Sequence, residues 1–288
     1  MGERSIHVRA FLTIVLWASA YVVTKLALEH FCSPSLGFIR CAVASAALAA
    51  IVLARRSPPP RLRDLPWLFL SGALGFAVYL LVFNKGSETL NPTTSCLIIS
   101  TAPIISAVLA RLCFGEILSP ARWGAIVLAL AGVAVMVLRG DAPDFTRGAL
   151  WMTAATLAIS AYNILQRKLG QRYDPLRLTA YSFLAATVLL APFCPEAAAE
   201  LRSASPLQAG LAVFLGIFPS ALAYQLWAGA IARADKVSTV TNYMFLTPFL
   251  TALMEYSLIR QAPEPRTVIG GGIIIGALLF FARAGRKR

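Results

Sequence analysis

The sequence predicts an all-α integral membrane protein: ten transmembrane helices arranged as two inverted-topology five-helix repeats, with both termini cytoplasmic. Three observations predict it. First, 58% of the 288 residues are hydrophobic and only 14% are charged, whereas soluble domains carry about 25% charged residues. A single water-soluble core of this size cannot bury so many apolar side chains. Second, the apolar residues gather into runs of about 20, the length that crosses a bilayer as a helix. Third, landmarks of the first half recur in the second. A soluble enzyme, a disordered chain and a secreted disulfide scaffold are all excluded by this composition.

The runs lie at about 8–28, 34–54, 65–86, 92–111, 120–139, 147–167, 175–194, 208–232, 237–259 and 267–284. They must be helical, because lipid offers no partners for backbone N–H and C=O groups. Short polar segments rich in Pro and Arg separate them, such as RRSPPPRLRD at 55–64. The first run is not expected to be a cleaved leader: it is long, holds Trp17 and Lys25, and shows no convincing small-residue cleavage site.

Charge sets the expected orientation. The net charge is +13, from 26 Lys and Arg against 13 Asp and Glu. With the N-terminus inside, 18 of the basic residues fall in cytoplasmic segments and 6 in outer ones, while Lys25 and Arg40 lie within spans. That asymmetry is the positive-inside pattern. It accounts for the basic character without a nucleic-acid partner. The expected location is the bacterial inner membrane, as a multi-pass monomer or homodimer.

The remaining chemistry is sparse. The five cysteines are odd in number and form no CxxC pair, so they read as small apolar residues. His7 and His30 are the only histidines, and no zinc motif or Ser–His–Asp set can be assembled around them. No GxxxxGK[ST] phosphate loop occurs. The sequence therefore predicts no catalytic residue, no metal and no cofactor, and no capacity of its own to hydrolyse ATP.

The internal repeat is the most informative feature. Ser19-Ala20-Tyr21 matches Ser160-Ala161-Tyr162, and Pro34 matches Pro175, at an offset of 141. Tyr79 with Tyr224, Pro103 with Pro248, and Pro120 with Pro265 follow at an offset of 145. The expected halves are 1–143 and 144–288. Five spans per half is an odd number, so the second half enters the membrane upside down. Inverted repeats are the architecture of many secondary transporters, with substrate held between the halves near the midplane.

Several motifs carry a family resemblance: WASAYVVTK at 17–25, FIR at 38–40, and TAPIISAVLARLCFGE at 101–116 with Pro103 and Gly115-Glu116. Over essentially its whole length the chain resembles the EamA-type exporters of the drug/metabolite transporter superfamily, with the aromatic amino-acid (YddG-like) branch nearest. The second copy, LTPFLTALMEYSLIRQ at 246–261, keeps Pro248 but has Arg260-Gln261 where the family shows Gly-Glu. The resemblance implies a secondary transporter that moves small metabolites, often amino acids, out of a bacterial cell.

Charged side chains within spans face protein or water and are functional candidates. Lys25, Arg40 and Glu255 are the three, all expected in the outer third of the membrane. They are candidates for gating or coupling, with Glu255 a route for protons; the alternative is snorkelling with structural pairing. Trp17, Tyr21 and Lys25 form one stripe on the first helix, at i, i+4 and i+8. Tyr162 and Gln166 repeat the last two positions. Tyr79 with Phe83, Tyr224 with Gln225 and Trp227, and Thr241-Asn242-Tyr243 add further polar aromatics and amides. A substrate cavity lined by Trp17, Tyr21, Tyr79, Phe83, Tyr162, Gln166, Tyr224, Asn242 and Tyr243 would stack on a solute and hold its polar ends. The alternative, an interfacial aromatic belt, better suits Trp67, Trp123 and Trp151 near span ends. Pro103 and Pro248, mid-span in equivalent helices, are candidate hinges. The small-residue runs GAIVLALAG at 124–132 and GGGIIIG at 270–276 suit close helix packing.

The leading expectation is a secondary transporter exporting small organic metabolites, most directly aromatic or neutral amino acids, by alternating access. A carrier for cationic drugs, sugars or nucleotides, working as exporter or importer, is the alternative. A non-transporting scaffold and a membrane-embedded enzyme are more remote, and no catalytic constellation supports the latter.

Overall fold

The computed structural model describes residues 3–115, 117–138, 143–234 and 240–284. Glu116, Arg139, Lys236 and the terminal Arg286, Lys287 and Arg288, which entered the motif and charge readings, lie outside them. Among the described residues the structure is helical, without strands.

The rods are α1 (Glu3–Ala27), α2 (Ser33–Ala54), α3 (Leu62–Thr89), α4 (Pro92–Phe114), α5 (Pro120–Leu138), α6 (Pro143–Leu169), α7 (Pro175–Ser203), α8 (Pro206–Ile231), α9 (Thr247–Ile259) and α10 (Pro265–Ala284). Eight of them, α1–α4, α6–α8 and α10, contain segments long and apolar enough to cross a membrane, and α5 is a shorter apolar helix. A 3-10 turn at Asn242–Leu246 leads into α9. Many large apolar side chains point outward, including Leu53, Leu112, Val127 and Leu150. In water such a surface is a liability, whereas in lipid it is the solvated face.

Local chemistry sets the helix starts. Proline opens α4, α5, α7, α8 and α10, where its missing N–H is not needed and its φ is already helical. Asn91 accepts from the Thr94 N–H at 2.8 Å, and Asp174 from the Arg177 N–H at 3.1 Å. Ser205 and Gln208 form a reciprocal capping box at the start of α8.

The packing is paired. α1 packs on α8, and α6 on α3; α4 packs on α6, and α9 on α1; α2 packs on α7, and α5 on α10. Exchanging the first five rods for the last five turns each of these pairs into another or into itself. Fine structure recurs with it. α3 is π-helical at Ala73–Ala77 and α8 at Gly216–Leu222, segments ending 145 residues apart. Pro219 explains the second, since it has no N–H for the regular ladder. Pro103 and Pro248 each sit in the first turn of a helical piece, Ala102–Phe114 and Thr247–Ile259. α4 is thus interrupted at Ser100–Thr101 and restarts at its proline. Those two pieces end in left-handed caps at Gly115 (φ 69) and Arg260 (φ 63), again 145 residues apart.

The small-residue runs are used unevenly. A Cβ on Gly132 would lie 2.9 Å from the Gly270 carbonyl and closer still to Ile274, so α5 and α10 touch nearly backbone to backbone there. Gly272 and Gly276 face open space.

Candidate functional site

Helical spacing fixes which side chains of each rod face the bundle interior, and the aromatics converge there. Trp17 of α1 meets Tyr224 of α8 edge-on at 5.6 Å and Trp227 at 5.2 Å between ring centres. Tyr224 meets Phe76 of α3 at 5.7 Å, and Phe76 meets Tyr162 of α6 at 5.3 Å and stacks on Phe183 of α7 at 3.7 Å. A shorter chain links Tyr21 to Phe83 and Phe83 to Tyr79, both at 5.5 Å. Trp17, Tyr21, Tyr79 and Tyr224, which lie well inside their rods, and Trp227 near the end of α8 are only partly buried.

Arg40 of α2 sits against this cluster. It is 8% exposed, and its Nε donates to the Ser220 hydroxyl at 2.7 Å. Ser220 belongs to the π-helical stretch of α8, and its own hydroxyl donates to the Leu215 carbonyl at 2.8 Å. A Cβ on Gly216 would press on Val43 and lie 3.1 Å from the Arg40 carbonyl, so the glycine admits α2 to this contact. The titratable groups around the guanidinium are Tyr79, Tyr224, Cys41 and Tyr21.

The other predicted residues lie around this centre. Lys25 donates to the Ser87 and Glu88 carbonyls, both at 2.9 Å, so it caps the C-terminal end of α3. Glu255, Glu29 and Glu88 are the acids around it. Glu255 is fully buried and accepts from Thr93. Gln166 reaches the Ser71 hydroxyl at 3.4 Å, on the α3 side of the bundle. Tyr243 bonds His7 at 2.9 Å, near the start of α1, and Asn242 is exposed; neither joins the chain of rings. Cys41 and Cys96 are buried, Cys32 is half-buried, and Cys113 and Cys194 are exposed.

Phe76, Phe183 and Ser220 were not singled out by the sequence. Two are among sixteen phenylalanines. The available signal was Gly75, which leaves room for the Tyr162 ring beside Phe76. A further polar cluster also went unread: buried Asp64 accepts from the Tyr173 hydroxyl and from Arg172, both at 2.8 Å, joining the start of α3 to the α6–α7 connection.

A model of the EamA-like transporter family matches residues 5–138 and again residues 146–283. The chain belongs to the EamA-like transporter family. This EamA-like transporter is 31% identical over 279 residues to a probable terminal-alkyne amino-acid exporter of Streptantibioticus cattleyicolor, covering 96% of this chain and 94% of that one. It is 24% identical over 289 residues to an S-adenosylmethionine/S-adenosylhomocysteine transporter of Chlamydia trachomatis, covering 94% and 87%. A solved crystal structure with 21% identity, covering 100% of both chains, matches with a TM-score of 0.64 and so shares the fold.

Proposed function

We propose that this transporter exports amino acids with aromatic or apolar side chains across the bacterial inner membrane by alternating access. The carrying observation is the chain of rings from Trp227 through Trp17, Tyr224 and Phe76 to Tyr162, drawn from α1, α3, α6 and α8, with Trp17, Tyr224 and Trp227 only partly buried. Such walls suit an apolar or aromatic side chain. The amino-acid part of the reading leans on the Streptantibioticus relative.

The halves 1–143 and 144–288 act as the two exchanging units in this reading. The paired packing and the doubled π-segments support it, since an inverted duplication offers two equivalent arrangements about one site. The restarts at Pro103 and Pro248 serve as hinges. The gating set is Lys25 of α1, which caps the end of α3, with Glu255 on α9, and Glu255 is the route for a coupled proton. Both termini face the cytoplasm, by the asymmetry of Lys and Arg.

A second reading, transport of a cationic adenosyl compound, has the Chlamydia relative in its favour.

Efflux from proteoliposomes loaded with labelled aromatic, small neutral and adenosyl solutes in separate pools tests the proposal. Efflux of the aromatic pool, competed by other aromatic amino acids, is the expected result. Movement of the adenosyl pool alone overturns it.

A further inference from the structure

Arg40 is a buried cation held by a hydroxyl. It lies 8% exposed against the ring cluster, within α2. Its Nε is held by Ser220 at 2.7 Å, and the surrounding titratable groups are three tyrosines and a cysteine. Among the described residues no carboxylate bonds to it. An uncompensated charge at membrane depth is costly, and such residues mark substrate pathways when the protein itself does not pair them.

The side chain is nonetheless held in place. Ser220 fixes the Nε edge, and the Ser220 hydroxyl is fixed in turn by the Leu215 carbonyl. Among the described residues the two terminal nitrogens bond to no protein atom, and neither is fully enclosed. They present the planar fork that matches a carboxylate with two parallel hydrogen bonds. The repeat sharpens the point. At the offset of 141, Arg40 corresponds to Tyr181, whose hydroxyl is spent on the Pro58 carbonyl at 3.1 Å. The bundle therefore offers one fork at this position.

We infer that Arg40 binds the substrate's carboxylate through its terminal nitrogens, with Ser220 as its positioning residue, so that the substrate's side chain is laid against the rings of Tyr224, Phe76 and Trp17. This rests on the amino-acid reading above and narrows it to solutes with a free carboxylate. Such an anchor discriminates strongly, because an analogue lacking the group leaves the guanidinium unpaired.

The test compares three probes in proteoliposomes: phenylalanine, its methyl ester, and phenethylamine, which lacks the carboxylate. In the wild-type protein, phenylalanine should move and be competed by phenylalanine, with the ester and the amine about ten- to a hundredfold weaker as competitors. Arg40→Gln should raise the KM for phenylalanine by a similar factor and remove the preference over the ester, whereas Arg40→Lys should keep part of it. Ser220→Ala should raise KM less than Arg40→Gln. Equal competition by acid, ester and amine in the wild-type protein overturns the inference without any variant. An unchanged phenylalanine KM in a folded Arg40→Gln protein does the same. If the wild-type protein moves no amino acid, thermal protection by 3-phenylpropionate decides. Protection of wild type but not of Arg40→Gln sinks the amino-acid reading and keeps the anchor; no protection of wild type sinks both.

Discussion

Glu255 accepts hydrogen bonds from both the backbone N–H of Thr93, at 2.9 Å, and the Thr93 hydroxyl, although the two residues are 162 positions apart. Thr93 is the second residue of α4, so a buried carboxylate on α9 caps the N-terminus of a helix from the other half. The positive end of that helix and the two donors stabilise the anion. Only Oε2 is used; Oε1 is buried with no hydrogen-bond partner. A carboxylate held on one oxygen and bare on the other is suited to take up a proton. Glu255→Gln is expected to keep the capping shape while abolishing the response of efflux to an imposed pH gradient. Stopped-flow efflux with and without the gradient measures this. A full gradient response in the variant eliminates Glu255 as the coupling group.

Arg260 holds φ 63 at the end of α9, where Gly115 holds φ 69 at the end of α4. The left-handed conformation costs a side-chain-bearing residue about 1–2 kcal/mol, and glycine adopts it freely. Arg260 is exposed, and its replacement removes no buried contact. Arg260→Gly is therefore expected to raise stability by roughly 0.5–1 kcal/mol, the remainder being lost to the freer unfolded chain. A thermal unfolding midpoint that fell in detergent would show that the arginine side chain outweighs the backbone strain.

These positions show what the sequence could carry. The apolar runs carry the helical rods, because burial in lipid and helical periodicity act locally, whereas which rods pack together was not read from the sequence. Tyr21, Tyr79, Tyr162 and Tyr224 were legible as a set because a polar aromatic in mid-span is rare enough to stand out. Phe76 and Phe183 were not, since nothing distinguishes an apolar ring facing the centre from one facing lipid. Tyr243 looked equivalent to the other tyrosines. Its place in the 3-10 turn before α9 aims it at His7, and that turn depends on packing more than on local sequence. Ser220 was invisible because its role requires the π-segment that Pro219 creates. Asp64 sits in a stretch read only as an Arg- and Pro-rich connection.

The Tyr173 hydroxyl donates to Asp64 Oδ2 at 2.8 Å and accepts from the Arg61 N–H at 3.1 Å. It ties the α2–α3 connection to the α6–α7 connection, together with Arg177 on the Pro59 carbonyl. Tyr173→Phe removes one atom and leaves an acceptor and a donor unmatched. The expected outcome is a lower thermal midpoint and faster proteolysis within 55–64, with substrate KM unchanged because the ring cluster is not touched. A KM shift of the same size as that of a ring variant would place this network within the transport cycle.

Gly75 and Tyr162 are fitted to one another. A Cβ on Gly75 would fall 2.2 Å from Cδ2 of the Tyr162 ring and 2.5 Å from Cε2, closer than any relaxed contact. The ring is nearly fully buried at 4% exposure, so it cannot swing aside into solvent. Gly75→Ala should therefore destabilise the protein by about 1–3 kcal/mol, the range for overpacking a filled core. It should also push Tyr162 off Phe76 and raise the substrate KM. The cause can be isolated with a double-mutant cycle. Tyr162→Ala removes the ring atoms Cγ, Cδ2 and Cε2 that the new methyl meets, so Gly75→Ala added to it should cost less than it does alone. A coupling near zero, with the two changes simply adding, would mean that α3 shifts as a whole to admit the methyl, and the ring position would then not be set by this glycine.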